Sequence, residues 1–156
     1  MRIAKASLTA RDVMTIDPVC VTPATRLREL ATIFEEHEIS GVPVIDQQGR
    51  VVGVVSKTDL IRRCSQGTDE IPPAFLFEVL SEQGDDDVSE AMPEPLVCVD
   101  DIMTPDPLMV SPDVTAAEVA RIMADKRVHR VIVTDADLFP IGIITSLDLL
   151  ASLSHQ

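Results

Sequence analysis

Two short segments of the chain place a glycine, a hydroxyl residue and an aspartate at one spacing, with three residues from each to the next. They are Gly53, Ser56 and Asp59, and Gly142, Thr145 and Asp148. A hydroxyl followed three residues later by an acid is typical of a capping box, in which both side chains bind free backbone N–H groups at a helix start. A helix start of this kind can also bind phosphate, and its carboxylate can accept hydrogen bonds from ribose hydroxyls. The spacing alone leaves both interpretations open.

Both segments belong to a longer repeat. Residues 12–61 and 101–150 align without a gap at an offset of 89 positions and share 16 identities in 50. Ordinary residue frequencies give roughly three. Repeated units of this kind usually need each other to bury an apolar face, so we expect any function to lie where the two copies meet.

Each copy carries the pattern β-α-β-β-α, which predicts an α+β fold with two small sheets. A short strand flanked by prolines opens each copy, at Val19–Val21 and Leu108–Val110, and we expect it to pair across to the other copy. A helix follows in each copy, because apolar residues recur at i, i+3, i+4 and i+7. The residues on these two faces are Leu27, Leu30, Ala31 and Phe34, and Ala116, Val119, Ala120 and Met123.

Dense runs of β-branched residues predict the remaining strands, covered on both faces. The runs are Val42–Ile45, Val51–Val55, Val131–Val133 and Ile141–Ile144. Asp46–Gly49 has the composition of a hairpin turn. Asp135–Phe139 lacks a turn glycine, and Ile132 replaces Pro43 of the first copy, so we expect the second hairpin to be looser.

A cluster of cations precedes the second hairpin. Lys126, Arg127, His129 and Arg130 lie within five positions, whereas the first copy has His37, Glu38, Ser40 and Gly41 there. One interpretation is an exposed basic helix end that interacts favourably with its own dipole. The other is a phosphate site, because arginine binds phosphate through paired hydrogen bonds and keeps its charge at every relevant pH.

The overall charge narrows the classes of partner. The chain has a net charge of −13 and neither Trp nor Tyr, which disfavours nucleic-acid binding. No run approaches the ~18 apolar residues of a spanning helix, and the first residues do not resemble a signal peptide, so we expect a cytoplasmic protein that does not interact with membranes. The three cysteines show no metal-ligand spacing, and no metal site is predicted.

The segment between the copies carries most of the net negative charge of the chain. Residues 62–101 contain eleven acids against Arg62 and Arg63. An amphipathic helical stretch is predicted within it by Ile71, Phe75, Leu76, Val79 and Leu80, and the tract after it is predicted to be a solvated loop. We therefore divide the chain into a first motif at 1–64, an acidic linker at 65–100 and a second motif at 101–156.

These motifs resemble those of a known family. DVMTIDPVCVTP, SGVPVID and GVVSKTDL, with the echoes DIMTPDPLMVSP, RVHRVIVTD and GIITSLDL, are similar to two cystathionine-β-synthase (CBS) motifs forming a CBS-domain pair, or Bateman module. The resemblance covers about 100 of the 156 residues. It implies two sheets related by a pseudo-two-fold axis, clefts between them, and adenosine-containing ligands in one or both clefts. RVHRVIV also resembles the nucleotide-binding motifs of AMP-activated kinase gamma subunits.

The resemblance implies roles for particular residues. Aspartate would bind ribose, Ser/Thr would face phosphate, and the basic residues would neutralise its charge, which favours the second motif as the phosphate site. The first cleft, with Lys57 as its nearby cation, would be empty or hold a less charged adenosine group. The candidate nucleotide-binding residues are Thr145, Asp148, His129, Arg130, Arg127, Val131, Ser111, Ser56, Asp59, Lys57, Val42 and Thr22.

The predicted function is regulatory sensing of AMP, ADP or ATP by a homodimer that needs no cofactor and acts on a protein partner. One alternative is a homodimeric scaffold without a nucleotide, whose acidic insert recruits a basic partner. Another is a sensor of S-adenosylmethionine, a dinucleotide or a divalent metal–nucleotide complex. No catalytic residue is predicted, because no nucleophile lies near a base by motif and the three histidines lie in unrelated contexts, so we do not expect an enzyme.

Overall fold

The computed structural model describes residues 7–65 and 97–154, without the side chains of residues 64 and 65. Its helices are α1 (Ala10–Val13), α2 (Leu27–Glu36), α3 (Lys57–Ser65), α4 (Val99–Ile102), α5 (Ala116–Lys126) and α6 (Ser146–Ser154). Its strands are β1 (Thr15–Ile16), β2 (Gly41–Ile45), β3 (Val51–Ser56), β4 (Thr104–Pro105), β5 (Met109–Val110), β6 (Arg130–Thr134) and β7 (Pro140–Thr145). The predicted helical stretch at 71–80 and the acidic tract after it lie outside the described residues.

The predicted α+β class with two small sheets is confirmed. One sheet has the order β1-β7-β6-β5 and the other the order β2-β3-β4. The chain forms two compact units. Unit 1 takes the residues up to Val19, Gly49–Val51 and the residues from Pro107 onward, and unit 2 takes Cys20–Gln48 and the described residues from Val52 to Asp106.

The prediction about the opening strands is wrong in one respect. Met109–Val110 runs parallel to β6 of its own copy, and Val21 forms a parallel bridge with Val44 of its own copy. The segments that pair with the other copy lie just before them: β1 runs antiparallel to β7, and β4 runs antiparallel to β3. Asp17 and Asp106, both with φ near 49°, turn the chain between these two pairings.

The methionine just before β1 and the one just before β4 each pack against the glycine of a Gly-x-x-Ser/Thr-x-x-Asp segment. In unit 1 a Cβ on Gly142 would overlap the Sδ of Met14 and lie 2.8 Å from its Cγ. In unit 2 a Cβ on Gly53 would lie 2.7 Å from the Sδ of Met103. The repeated glycines are therefore explained by packing, since a side chain at either position would occupy the space of a methionine.

The core of unit 1 joins helix α5 to one face of its sheet. Val119 and Met123 are buried there together with Val131, Val133 and Ile144. The predicted core face of α5 is only partly right, because Ala120 is exposed. In unit 2 the predicted face of α2 holds, with Leu27, Leu30 and Phe34 fully buried and Ala31 partly so.

The two hairpin turns close by different means. In the first, Gly49 adopts a φ of 86° and Gln48 N donates to Asp46 Oδ1 at 2.9 Å. In the second, Leu138 takes the positive φ, and Asp135 Oδ1 accepts from Asp137 N at 2.9 Å and Phe139 N at 3.0 Å. Both turns therefore use the repeated aspartate as acceptor, and the second is closed without a glycine; that it is looser stays a prediction.

Across residues 7–65 and 97–154, we find no helix with the length and apolar character needed to cross a membrane.

Substituting the methionine-covered glycine tests this packing. We expect Gly142→Ala to lower the free energy of unfolding by about 1–3 kcal/mol, because the added Cβ overpacks against Met14. Urea denaturation measures the change. A glycine without such a neighbour gains roughly 0.5–1 kcal/mol from the same substitution in a regular element.

The matched background is Met14→Ala, which removes the overlapping atoms. The two substitutions should couple by about 1 kcal/mol or more in a double-mutant cycle. Purely additive effects, or a Gly142→Ala variant as stable as the parent, would contradict the packing account.

Candidate functional site

The two Gly-x-x-Ser/Thr-x-x-Asp segments each form a strand-to-helix junction, one in each unit. In unit 2, β3 ends at Ser56 and α3 begins at Lys57, and in unit 1, β7 ends at Thr145 and α6 begins at Ser146. The first backbone N–H of each helix is hydrogen-bonded. Lys57 N donates to Ser40 O at 3.0 Å, and Ser146 N donates to His129 O at 2.9 Å. Both helix starts are thus held by the backbone carbonyl of the residue just before a strand, β2 in unit 2 and β6 in unit 1.

The junction in unit 2 is a complete capping box. Asp59 Oδ2 accepts from Ser56 N at 2.8 Å and from Ser56 Oγ at 3.1 Å, and Asp59 N donates to Ser56 Oγ at 3.3 Å. Asp59 is only 8% exposed. Its other oxygen, Oδ1, lies 3.7 Å from Arg62 Nη1 in an ion pair. Both carboxylate oxygens of Asp59 therefore have partners inside the unit.

The junction in unit 1 uses fewer of its groups. Asp148 Oδ2 accepts from Thr145 N at 2.8 Å, and Asp148 N donates to Thr145 Oγ1 at 3.2 Å. Within the described part of the chain, Asp148 Oδ1 and the hydroxyl proton of Thr145 have no hydrogen-bond partner. The position three residues after Asp148 is Ala151, which cannot pair with it. Asp148 is also partly exposed rather than buried.

Arg130 lies beside this junction in the sheet. It is the antiparallel partner of Thr145 in the β6–β7 register, so the two side chains emerge on the same face about 5 Å apart at Cβ. The Arg130 side chain is partly buried. Val131, the next residue, lies on the opposite face and is 1% exposed within the core of unit 1. The structure therefore brings together Arg130, Thr145 and Asp148.

The other basic residues of the cluster lie elsewhere. Arg127 ends α5 in the left-handed conformation, with φ 55° and ψ 42°, and is exposed. Arg127 and the exposed His129 line a groove between α5 and α6, which Thr145 and Asp148 do not line. This placement favours a helix-end role for Arg127, and the phosphate role predicted for both residues stays a prediction.

The remaining candidates serve local turns or are buried. Thr22 N donates to Thr25 Oγ1 at 3.1 Å, and Ser111 Oγ accepts from Asp113 N at 3.3 Å, so each belongs to a short turn. Lys57 is the first residue of α3, and Val42 is 1% exposed. With side chains this buried, Val42 and Val131 could border a ligand only through their backbone.

Sequence reasoning missed Arg62 as part of the first junction. Its spacing of three residues from Asp59 on a predicted helix is the signal that could have identified the pair. The hydrogen bonds that the backbone carbonyls of Ser40 and His129 accept from the first helical N–H groups were also missed, because no pattern of side chains indicates them.

The chemistry available at the unit 1 junction is binding. A free carboxylate oxygen accepts hydrogen bonds from hydroxyl groups, and an arginine beside a helix N-terminus attracts an anion. Leu147 N, the second N–H of α6, has no hydrogen-bond partner among the described residues. Among residues 7–65 and 97–154, no group of three or more His, Cys, Asp or Glu side chains is placed to hold a metal ion.

Comparison with known proteins gives consistent matches. A chloroplastic CBS domain-containing protein of Arabidopsis thaliana, CBSX1, is 31% identical over 128 residues, covering 80% of this chain and 54% of the relative. The uncharacterised protein MJ1426 of Methanocaldococcus jannaschii is 27% identical over 147 residues, covering 87% of this chain and 86% of the relative. The crystal structure of CBSX2 in complex with AMP has a TM-score of 0.70 at 27% identity, covering 95% of this chain and 97% of that one.

Longer proteins contain a similar region. The 5′-AMP-activated protein kinase subunit gamma-3 of Bos taurus is 28% identical over 121 residues, and the match takes 78% of this chain but 21% of the subunit. The chain thus spans most of the archaeal relative, about half of the plant one and about a fifth of the kinase subunit. The CBS domain profile matches residues 10–66 and 99–155, most of the sequence. The chain belongs to the CBS domain family, with two copies of the motif.

Proposed function

We propose that the chain is a regulatory module that binds an adenosine nucleotide at the start of α6 in unit 1. The observation that carries this proposal is the open carboxylate oxygen of Asp148, next to a threonine whose cross-strand neighbour is Arg130. Support also comes from the family, since the similar CBS-pair protein CBSX2 has been crystallised in complex with AMP.

Each part of a nucleotide has a matching group at this junction. The ribose hydroxyls donate to Asp148 Oδ1, which is not needed to cap the helix. The phosphate accepts from the Arg130 guanidinium, from the Thr145 hydroxyl and from Leu147 N at the positive end of the helix dipole. AMP, ADP and ATP all carry these features. S-adenosylmethionine lacks the phosphate, so Arg130 favours a phosphorylated ligand.

The proposed output is a shift in conformation rather than a reaction. A ligand that binds one conformation better than another moves the population toward it, by at most the difference in binding free energy. No residue of the junction is assigned a catalytic role in this proposal.

Thermal unfolding with and without AMP tests this proposal. At AMP concentrations 100-fold above the dissociation constant, stabilisation should be about 2.7 kcal/mol. For a chain of this size the melting temperature should rise by very roughly 5–10 °C. Asp148→Asn should abolish most of that rise, because the amide cannot accept at both oxygen positions.

The matched control is Asp12→Asn. Asp12 also accepts from a cap residue, Thr9 N at 2.8 Å, and the Thr9 N–H and hydroxyl lower the pKa of its carboxyl, but it lies outside the candidate junction. The control should lose stability yet keep the full AMP-dependent rise. A parent protein that shows no rise with AMP, ADP or ATP would contradict the proposal and favour the ligand-free scaffold.

We also propose that the chain forms a homodimer through one surface of unit 1. Three leucines of α6 are exposed there, Leu147 at 72%, Leu150 at 62% and Leu153 at 63%. Leu150 and Leu153 also line a groove of about 600 Å³ between α5 and α6, whose α5 wall is lined by Ala116, Ala117, Ala120 and Ala124. This apolar surface combines exposed leucines on α6 with small side chains on α5, so two copies related by a two-fold axis bury the leucines of each against the alanines of the other.

A charge on this surface should separate the dimer. We expect Leu150→Asp to give the mass of one chain by sedimentation at concentrations where the parent gives twice that mass, because a carboxylate would be buried unpaired. Ile16→Asp is the control, since Ile16 is equally exposed at 64% but lies on β1. A parent that sediments as a single chain, or a control that dissociates equally, would contradict the assigned surface.

A further inference from the structure

We infer that Arg62 closes the first motif to ligand by occupying its aspartate, so that each chain binds one nucleotide, in unit 1. This inference rests on the proposed function, because it concerns which of the two equivalent junctions binds the nucleotide. The block at the first junction is thus assigned to a single side chain, whose counterpart in the second motif is Ala151.

The first motif satisfies its own polar groups. Ser56 Oγ donates to Asp59 Oδ2, and Arg62 Nη1 lies 3.7 Å from Asp59 Oδ1. The Asp59 side chain is 9% exposed, whereas the Arg62 side chain is 63% exposed. A nucleotide that bound here would have to displace the guanidinium from an oxygen that is almost buried.

The second motif leaves the corresponding groups open. Thr145 Oγ1 accepts from Asp148 N, but within the described residues its proton has no acceptor. Among the described residues Asp148 forms no ion pair. The position that corresponds to Arg62 at the repeat offset of 89 is Ala151, an exposed residue of α6. The two junctions share two capping bonds and differ in whether the hydroxyl proton and the second carboxylate oxygen have partners.

The strength of the block is set by the ion pair. Pairs between exposed arginines and carboxylates are worth up to about 1 kcal/mol, which corresponds to a factor of about five in affinity. Because the Asp59 side is nearly buried, we expect an effect at the upper end of this range, about five-fold. Arg130 has no counterpart in the first motif, where Gly41 takes its place, so a ligand there also lacks the phosphate contact.

Calorimetric titration of the full chain with AMP and with adenosine tests the inference. The parent should bind one AMP per chain. Arg62→Ala should add a second site that takes adenosine about as well as AMP. Ala151→Arg should weaken the original site by up to about five-fold, because an arginine three residues after Asp148 reproduces the pair of the first motif.

Two controls separate charge and pairing from general effects. Arg121→Ala removes an arginine that pairs with Glu118 at the same spacing on α5, outside either junction, and should leave one site of unchanged affinity. Ala151→Gln adds a polar side chain without charge and should weaken AMP binding less than Ala151→Arg. Melting curves of each variant without ligand show whether it is folded.

The outcomes distinguish this inference from the proposed function. A parent that binds one AMP, lost in Asp148→Asn, while Arg62→Ala still binds one and Ala151→Arg binds normally, overturns the inference and leaves the proposed function standing. A parent that binds two AMP molecules, or an Arg62→Ala variant that binds less, also overturns it, since Arg62 would then contact the ligand. A parent that binds none overturns both.

Discussion

The structure depends on how each copy passes from its last strand to its last helix within one residue. The backbone N–H of Ser56 or Thr145 donates to the carboxylate of the aspartate three residues later. The backbone N–H of that aspartate donates in turn to the Ser or Thr hydroxyl oxygen. These bonds stabilise the helix start without a ligand, and they use only one of the two carboxylate oxygens. Any binding must use what remains, which is the second oxygen, the hydroxyl proton and one backbone N–H.

The groups left over from capping differ between the copies, because the neighbouring side chains differ while the backbone is the same. In unit 2, Arg62 pairs with the second oxygen of Asp59, and the Ser56 hydroxyl donates its proton to the first. In unit 1 an alanine replaces that arginine, and Arg130 replaces a glycine on the neighbouring strand. The repeated glycines take no part in this difference, since Met14 and Met103 account for them by packing. Duplication thus preserves the scaffold while a few side chains change what the scaffold can bind.

Local patterns made much of the fold predictable. The i, i+3, i+4, i+7 spacing located α2 and α5, and the β-branched runs located β2, β3, β6 and β7, because burial dictates these periods. Pairing partners were harder, since alternation does not say which strand lies alongside, and β1 and β4 are two residues long. Thr145 and Asp148 were predicted from spacing. The contrast between Arg62 and Ala151 was missed, because it appears only once side-chain distances are known.

Backbone amide chemical shifts during an AMP titration test the central claim most directly, because they report where the nucleotide lies without any substitution. We expect saturable shifts centred on Arg130, Thr145, Leu147 and Asp148, with much smaller changes at Ser56 and Asp59. Shifts centred on Ser56 and Asp59, or no saturable shifts at either helix start, would contradict it.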